Sequence, residues 1–254
     1  MTNTDMHLAE RLADAAGAAI RPFFRRRFAM EAKADLSPVT EADRAAEAAM
    51  RAILAQERPD DGVIGEEYGP DRPHAERVWV LDPIDGTRSF VAGRPIFGTL
   101  VALLDRGQPM LGLIDQPISG ERWVGARGAA TTLNGAPITT RPCPSLADAH
   151  LATTGPGYFT PESWSAFERA RQAARDTLWG GDCYNYGLLA AGHLDLVIED
   201  GLKLYDFAAL VPIVEGAGGI MRDWNGKPLD MSSDGRVIAA GDPGLVDIVV
   251  GMLA

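Results

Sequence analysis

The 254-residue chain has no apolar run near the roughly 18 residues that a membrane-spanning helix needs. Met1 to Glu10 is polar and mildly acidic, without the basic and apolar parts of a signal peptide. Cysteine is scarce: only Cys143 and Cys183 occur. They make no disulfide framework, which points to a reducing cytoplasm, and they lack the paired spacing of a zinc site. Positive charge is also in short supply. With 24 Lys and Arg against 35 Asp and Glu, the formal net charge is -11. That balance argues against broad nucleic-acid or anionic-membrane binding. There is no internal repeat and no low-complexity run. The chain is 46% hydrophobic, enough for a sizeable core in one large domain or two intimate halves. An anionic substrate would need something locally positive to overcome the field, and bound metal would supply it.

The most informative stretch runs from Val78 to Thr87. Its apolar start reads as a short strand buried on both faces. The strand runs into Asp82-Pro83-Ile84-Asp85-Gly86-Thr87. A turn carrying two solvated acids is the simpler reading. In an extended chain Asp82 and Asp85 would lie roughly 10 Å apart. Pro83 and Gly86 predict a tight turn that brings the two carboxylates together. Two like charges at the edge of a core cost stability unless a cation lies between them. An oxygen-rich cluster of this kind suits Mg²⁺ or Mn²⁺. The N–H groups of Gly86 and Thr87, at a helix start, suit a phosphate.

Elsewhere, Leu8 to Phe28 predicts an amphipathic helix with Arg25, Arg26 and Arg27 near its end. A second helix spans Glu41 to Gln56, with Thr40 as its N-cap. Asp43 falls in the capping-box position, where it either closes the cap or faces the acidic cluster. Gly62 to Gly69 repeats the theme of a short strand ending in acids. Glu66 would join Asp82 if the two strands are neighbours, although an exposed loop would carry the same residues. Phe97 to Leu104 and Met110 to Ile114 predict antiparallel strands, continued by Trp123 to Ala126 and the Asn134-Gly135 turn. Arg141 to Ser145, with two prolines, marks the expected boundary between halves 1–142 and 143–254. The second half should hold a strand at His150 to Thr153 and a helix from Pro161 to Ala174, capped by Thr160 or Ser163. A helix from Cys183 to Ala191 follows, then a strand from Leu194 to Ile198 ending at Glu199. Asp206 opens a helix that stops at Gly216, and on local pattern it is a plain N-cap. Pro212 should kink that helix. A strand from Val237 to Ala240 and a short helix finish the chain.

Gly65-Glu66-Glu67, the run Trp79 to Thr87, Asp206 before a helix, and Glu215 to Gly219 together resemble the inositol-monophosphatase-like superfamily. Within it the chain is similar to bacterial histidinol-phosphate phosphatases. That narrower likeness rests on Arg88-Ser89-Phe90, Gly93 to Leu100, Glu121 to Gly125, Gly180 to Tyr184 and Gly201 to Asp206. Tyr205 stands where inositol phosphatases usually carry Trp.

The resemblance implies a layered α-β-α-β-α fold and a Mg²⁺-dependent, Li⁺-sensitive phosphomonoesterase with about two to three ions per site. It places the metal ligands on Glu66, Asp82, the carbonyl of Ile84, Asp85 and Asp206. Thr87 and Asp43 would orient and deprotonate the attacking water, helped by Glu66. Asp85, Gly86 and Thr87 would hold the phosphate, and Asp182 and Glu199 the leaving alcohol. An acid at Asp182 suits a cationic amine better than a neutral polyol, although Asp182 could equally be the N-cap of the following helix. Inositol or sugar phosphates are the alternative substrates. A transcription-machinery partner of the same fold is the non-enzymatic alternative. The resemblance also implies a homodimer. No residue suggests a covalent nucleophile, since Asp182 beside Cys183 should raise the thiol pKa.

Overall fold

The structure is a computed structural model that describes residues 3–26, 30–32 and 38–253. Helix α1 (Asn3–Ile20) is followed by a short antiparallel pair, β1 (Met30–Ala32) and β2 (Pro38–Thr40), and by α2 (Glu41–Glu57). Then come β3 (Gly62–Gly65), β4 (Gly69–Asp71), β5 (Arg77–Asp85), the short α3 (Thr87–Val91), β6 (Gly98–Asp105), β7 (Gln108–Gln116), β8 (Glu121–Ala126), β9 (Thr132–Leu133) and β10 (Ala136–Pro137). These form an eight-stranded sheet in the order β10-β9-β8-β7-β6-β5-β3-β4, in which β3 and β5 are parallel. The rest of the chain supplies β11 (His150–Thr153), α4 (Pro161–Ala173), β12 (Asp176–Trp179), α5 (Tyr184–Ala190), β13 (Leu196–Glu199), α6 (Leu204–Phe207), α7 (Leu210–Gly216), β14 (Ile220–Asp223), β15 (Val237–Ala240) and α8 (Gly244–Leu253). Its five-stranded sheet runs β12-β11-β13-β15-β14.

The layers follow from which faces are apolar. Strand β5 is buried on both sides: Trp79 and Leu81 join the core under α1 and α2, while Val78 and Val80 join the core between the sheets. Helices α5 and α7 occupy that middle layer, and α4 and α8 cover the far face of the smaller sheet. The order is therefore helix pair, sheet, helices, sheet, helix pair, as the resemblance implies. Helix α7 lies on a glycine pair, Gly112 and Gly125, which face each other across β7 and β8. A Cβ on Gly112 would stand 1.8 Å from the Ala209 carbonyl oxygen, so only glycine admits the helix so close. No helix among the described residues is long and apolar enough to cross a membrane.

Three expectations change. Helix α1 stops at Ile20 rather than Phe28, because Pro22 has no N–H to continue it. Arg25 is then not at a helix end; its Nε donates to the Gly93 carbonyl at 3.0 Å and its guanidinium lies over Phe24. Pro212 does not kink a long helix. The chain breaks before it, between α6 and α7, and Pro212 sits in the first turn of α7, where no N–H is needed. Thr160 caps α4 and forms a reciprocal capping box with Ser163, so both candidate residues contribute. Arg27 and the side chain of Thr40 fall outside the described residues.

Candidate active site

Asp82 and Asp85 do not meet through a tight turn. Both remain in β5, which carries a bulge between them. Asp82 pairs with Leu100 and Asp85 with Gly98, so three steps on β5 oppose two on β6. In a regular strand residues three apart point to opposite faces. The extra residue brings the two side chains to the same side. The hydroxyl of Thr99 steadies the bulge by donating to the Pro83 carbonyl at 2.7 Å.

Glu66 follows β3, the parallel neighbour of β5, and its N–H donates to the Leu81 carbonyl at 3.2 Å. This puts Glu66 beside Asp82. The turn after β3 is held by Glu47, a residue sequence reasoning passed over. Its buried carboxylate accepts from the Glu67 N–H at 2.7 Å and from Arg51 at 2.7 Å. A Cβ on Gly65 would collide with it at 2.0 Å. The signal was present: Asp43 and Glu47 are acids one helical turn apart on the face of α2 that buries Ala46 and Met50. Asp43 is itself fully buried, and its charge reaches Asp82.

Asp206 lies in the first turn of α6, where it accepts from the Lys203 N–H at 2.6 Å. Asp206 is therefore not the N-cap expected from local pattern: the helix starts after Lys203, and Asp206 is its third residue, reaching back to the Lys203 N–H. Its carboxylate nevertheless belongs to the acidic cluster: Asp82, Asp85 and Asp206 each offer an oxygen within 4.8 Å of the others. Thr87 opens α3, and its hydroxyl donates to the Ile84 carbonyl at 3.1 Å. Gly86, at φ 86°, makes the left-handed step between bulge and helix.

The opposite wall comes from the second sheet. Asp182 does not cap α5. Its own φ is 44°, and its carboxylate accepts from the Ser89 hydroxyl at 2.9 Å. It also abuts Gly86, where a Cβ would meet it at 2.6 Å. Glu199 ends β13 and accepts from the Thr154 N–H at 2.6 Å and from the Thr153 and Thr154 hydroxyls. These walls enclose a cleft of about 220 Å³, which Arg88, Tyr158 and Lys203 also line. His193 is exposed, away from it.

Electrostatics mark the site. Burial first, then the charges of Glu66, Asp85, Asp206 and Asp43, push Asp82 well above the usual carboxylate range. Asp85 is raised by burial and by Asp182 and Asp206, against a hydrogen bond from Cys183. Burial lifts Asp206 to about 7 and Glu199 to about 8. Burial also raises Asp182, opposed by the Ser89 hydroxyl and then by Arg94 and Arg88. The Cys183 thiol is driven up by burial and by Asp85, as its acidic neighbourhood led one to expect. One oxygen of Asp82 is sealed from solvent with no hydrogen-bond partner among the described residues. A buried, unpaired carboxylate oxygen beside two more carboxylates fits a hard divalent cation. Glu66, Asp82, Asp85 and Asp206 are the residues that could hold it.

A layered fold with a carboxylate cluster and a helix start at one cleft defines a metal-dependent phosphatase. The inositol monophosphatase family profile matches residues 3–250, and the chain belongs to that family. It is 53% identical over 240 residues to the chloroplastic bifunctional phosphatase IMPL2 of Arabidopsis thaliana, covering 91% of this chain and 69% of that one. It is 36% identical to a histidinol-phosphatase of Chlorobaculum parvum, covering 92% of each chain. A solved structure of an inositol monophosphatase from Zymomonas mobilis superposes with a TM-score of 0.92 at 60% identity, covering 98% of this chain and 97% of that one.

Proposed function

We propose that this phosphatase hydrolyses L-histidinol phosphate to L-histidinol and phosphate, a step of histidine biosynthesis, with Mg²⁺ as its ion and Mn²⁺ as a substitute. The observation that carries the reading is the acidic wall across from the metal-side carboxylates. Asp182 and Glu199 line the part of the cleft left to the leaving alcohol. Two carboxylates there suit an ammonium and repay a neutral polyol poorly.

When bound, Mg²⁺ supplies charge neutralisation at the phosphoryl oxygens and acidifies water. Glu66, Asp82, the Ile84 carbonyl, Asp85 and Asp206 would hold it. Thr87 and Asp43 orient the attacking water and take its proton, with Glu66 assisting. The N–H groups of Gly86 and Thr87 hold the phosphate in line with that water, so hydrolysis proceeds by direct displacement. Cys183 takes no part, because its raised pKa keeps the thiol protonated. The protein works in the cytoplasm as a homodimer.

A second reading, inositol monophosphatase or broad sugar-phosphate phosphatase, draws support from Ser89, Arg88 and Arg94, which already answer part of the Asp182 charge. A role as partner of the transcription machinery would not need the acid set, which is intact. Phosphate release from histidinol phosphate, beside myo-inositol 1-phosphate, with and without EDTA, separates the three. Faster turnover of histidinol phosphate, abolished by EDTA, is the expected result. Preference for inositol phosphate moves the assignment to the second reading, and no turnover of either moves it to the third. Asp182→Asn should narrow the preference for histidinol phosphate, since Asn tolerates the left-handed backbone of this position.

A further inference from the structure

The cleft has two unlike sides. The end of β5 and the start of α3 bring the metal-side acids and the phosphate-facing amides. The C-terminal ends of β11 and β13 bring Thr154 and Glu199. The turn that leaves β11 carries Tyr158 on to this second side, where it lines the cleft. Tyr158 is 42% exposed, one of few large apolar side chains left open to solvent. An aromatic ring exposed at the mouth of a carboxylate-rich cleft gives up burial that most side chains of its size obtain. Its surroundings are charged. Partial burial raises its phenol pKa, Arg88 opposes the rise and Asp182, Asp85 and Glu199 add to it, and the Arg88 guanidinium lies 5.4 Å from its ring centroid. A flat cation thus already rests against this ring. Arg88 is exposed and reaches over from α3, on the other side of the cleft, so it can withdraw when a ligand enters.

We infer that Tyr158 is a specificity-determining residue whose ring receives the flat, nitrogen-bearing ring of the leaving alcohol. The inference rests on the histidinol-phosphate reading and divides the labour within it. Glu199 and Asp182 answer the ammonium, and Tyr158 answers the imidazole. An imidazole stacks on a phenol ring when neutral and adds a cation–π attraction when protonated. A polyol has no group that would use such a surface. The aromatic face beside paired carboxylates is therefore complementary to an aromatic amine.

The test compares histidinol phosphate with alaninol phosphate, which keeps the amine and the ester and lacks the ring. Steady-state kinetics are measured for the wild-type protein, Tyr158→Leu and Tyr158→Phe with Mg²⁺ present. Because Tyr158 stands half out of the fold, Leu removes the ring with little effect on folding. Tyr158→Leu should lose roughly 5- to 10-fold more kcat/KM on histidinol phosphate than on alaninol phosphate, the order expected for one cation–π contact. The loss should lie in KM, with kcat nearly held, and inhibition by L-histidinol should weaken by the same factor. Tyr158→Phe should recover most of it. Equal losses on both substrates, no loss, or a Phe variant as poor as Leu would overturn the assignment of Tyr158 while leaving the substrate reading standing. If the wild-type protein does not hydrolyse histidinol phosphate, the substrate reading fails first and takes this inference with it.

Discussion

The backbone N–H of Cys183 donates to the carboxylate of Asp85 at 2.6 Å. This single bond joins the start of α5, in the second half of the chain, to the end of β5 in the first. It sets the Asp85 carboxylate while leaving the thiol of Cys183 buried against Gly98. The amide contact comes from the main chain and survives loss of the thiol, which itself adds a weaker hydrogen bond to the same carboxylate.

Cys183→Ala therefore keeps the amide and should retain activity within a few-fold, at a stability cost of about 1 kcal/mol for the lost packing. Phosphatase assays and urea unfolding check both. Complete inactivation of a folded Cys183→Ala protein would mean that the thiol takes part in the chemistry.

The acid cluster opposes folding when no cation is bound. Asp82→Asn removes a buried charge whose neighbours are Glu66, Asp85 and Asp206. The variant should lose activity by about 1,000-fold or more, yet unfold at a higher temperature than the wild-type protein when both are in EDTA. Adding Mg²⁺ should raise the wild-type melting temperature and move that of the variant much less. A variant stabilised by Mg²⁺ as strongly as the wild type would remove Asp82 from the ligand set.

The pH dependence follows in sign from the raised values. Asp206 rises from an ordinary 3.8 to about 7, and Glu199 from 4.5 to about 8. Between those limits the folded, metal-free protein holds protons that the unfolded chain has released. Its stability should fall as pH rises through that window. Calorimetry in EDTA should give a lower melting temperature at about pH 8.5 than at about pH 5.5, a difference that Mg²⁺ narrows because bound cations favour the ionised acids. A melting temperature that climbs with pH in EDTA would contradict the assignment of these carboxylates as raised.

Glu47 acts through Glu66. Its carboxylate ties Arg51 and the Glu67 N–H together beneath Gly65. Glu47→Ala leaves that N–H and Arg51 without their buried partner, at a cost of about 2–4 kcal/mol. The Mg²⁺ concentration for half-maximal activity should rise as the Glu66 turn loosens, and Glu47→Gln, which still accepts from the N–H, should recover part of it. An unchanged Mg²⁺ requirement in a destabilised Glu47→Ala protein would reduce Glu47 to a packing role.

Much of the site was legible because it lies in consecutive residues. The run from Asp82 to Thr87 and the acids at Glu66 and Asp206 stood at strand ends and helix starts, where chain direction alone exposes side chains. The means of bringing Asp82 and Asp85 together was not legible. A turn and a bulge both suit Pro83 and Gly86, and only pairing with β6 distinguishes them. Edge strands β12 and β14 were missed because they are short and carry no alternation of their own. Glu47 was overlooked because a helix rich in Glu and Arg hides one buried acid among exposed ones.

The layered order was implied by the family resemblance; by itself the sequence determined which acids exist and the local shape of most elements. These depend on residues near one another along the chain, where period and turn chemistry act directly. Tertiary structure alone decided that Asp182 answers Ser89 rather than capping its own helix, that the Cys183 amide holds Asp85, and that Tyr158 lines the same cleft as Glu199 and Asp182. Those relations join residues remote from one another in the sequence, and no local preference encodes them. They arise when the two sheets close on a shared core and bring side chains that are remote in sequence into one low-dielectric space.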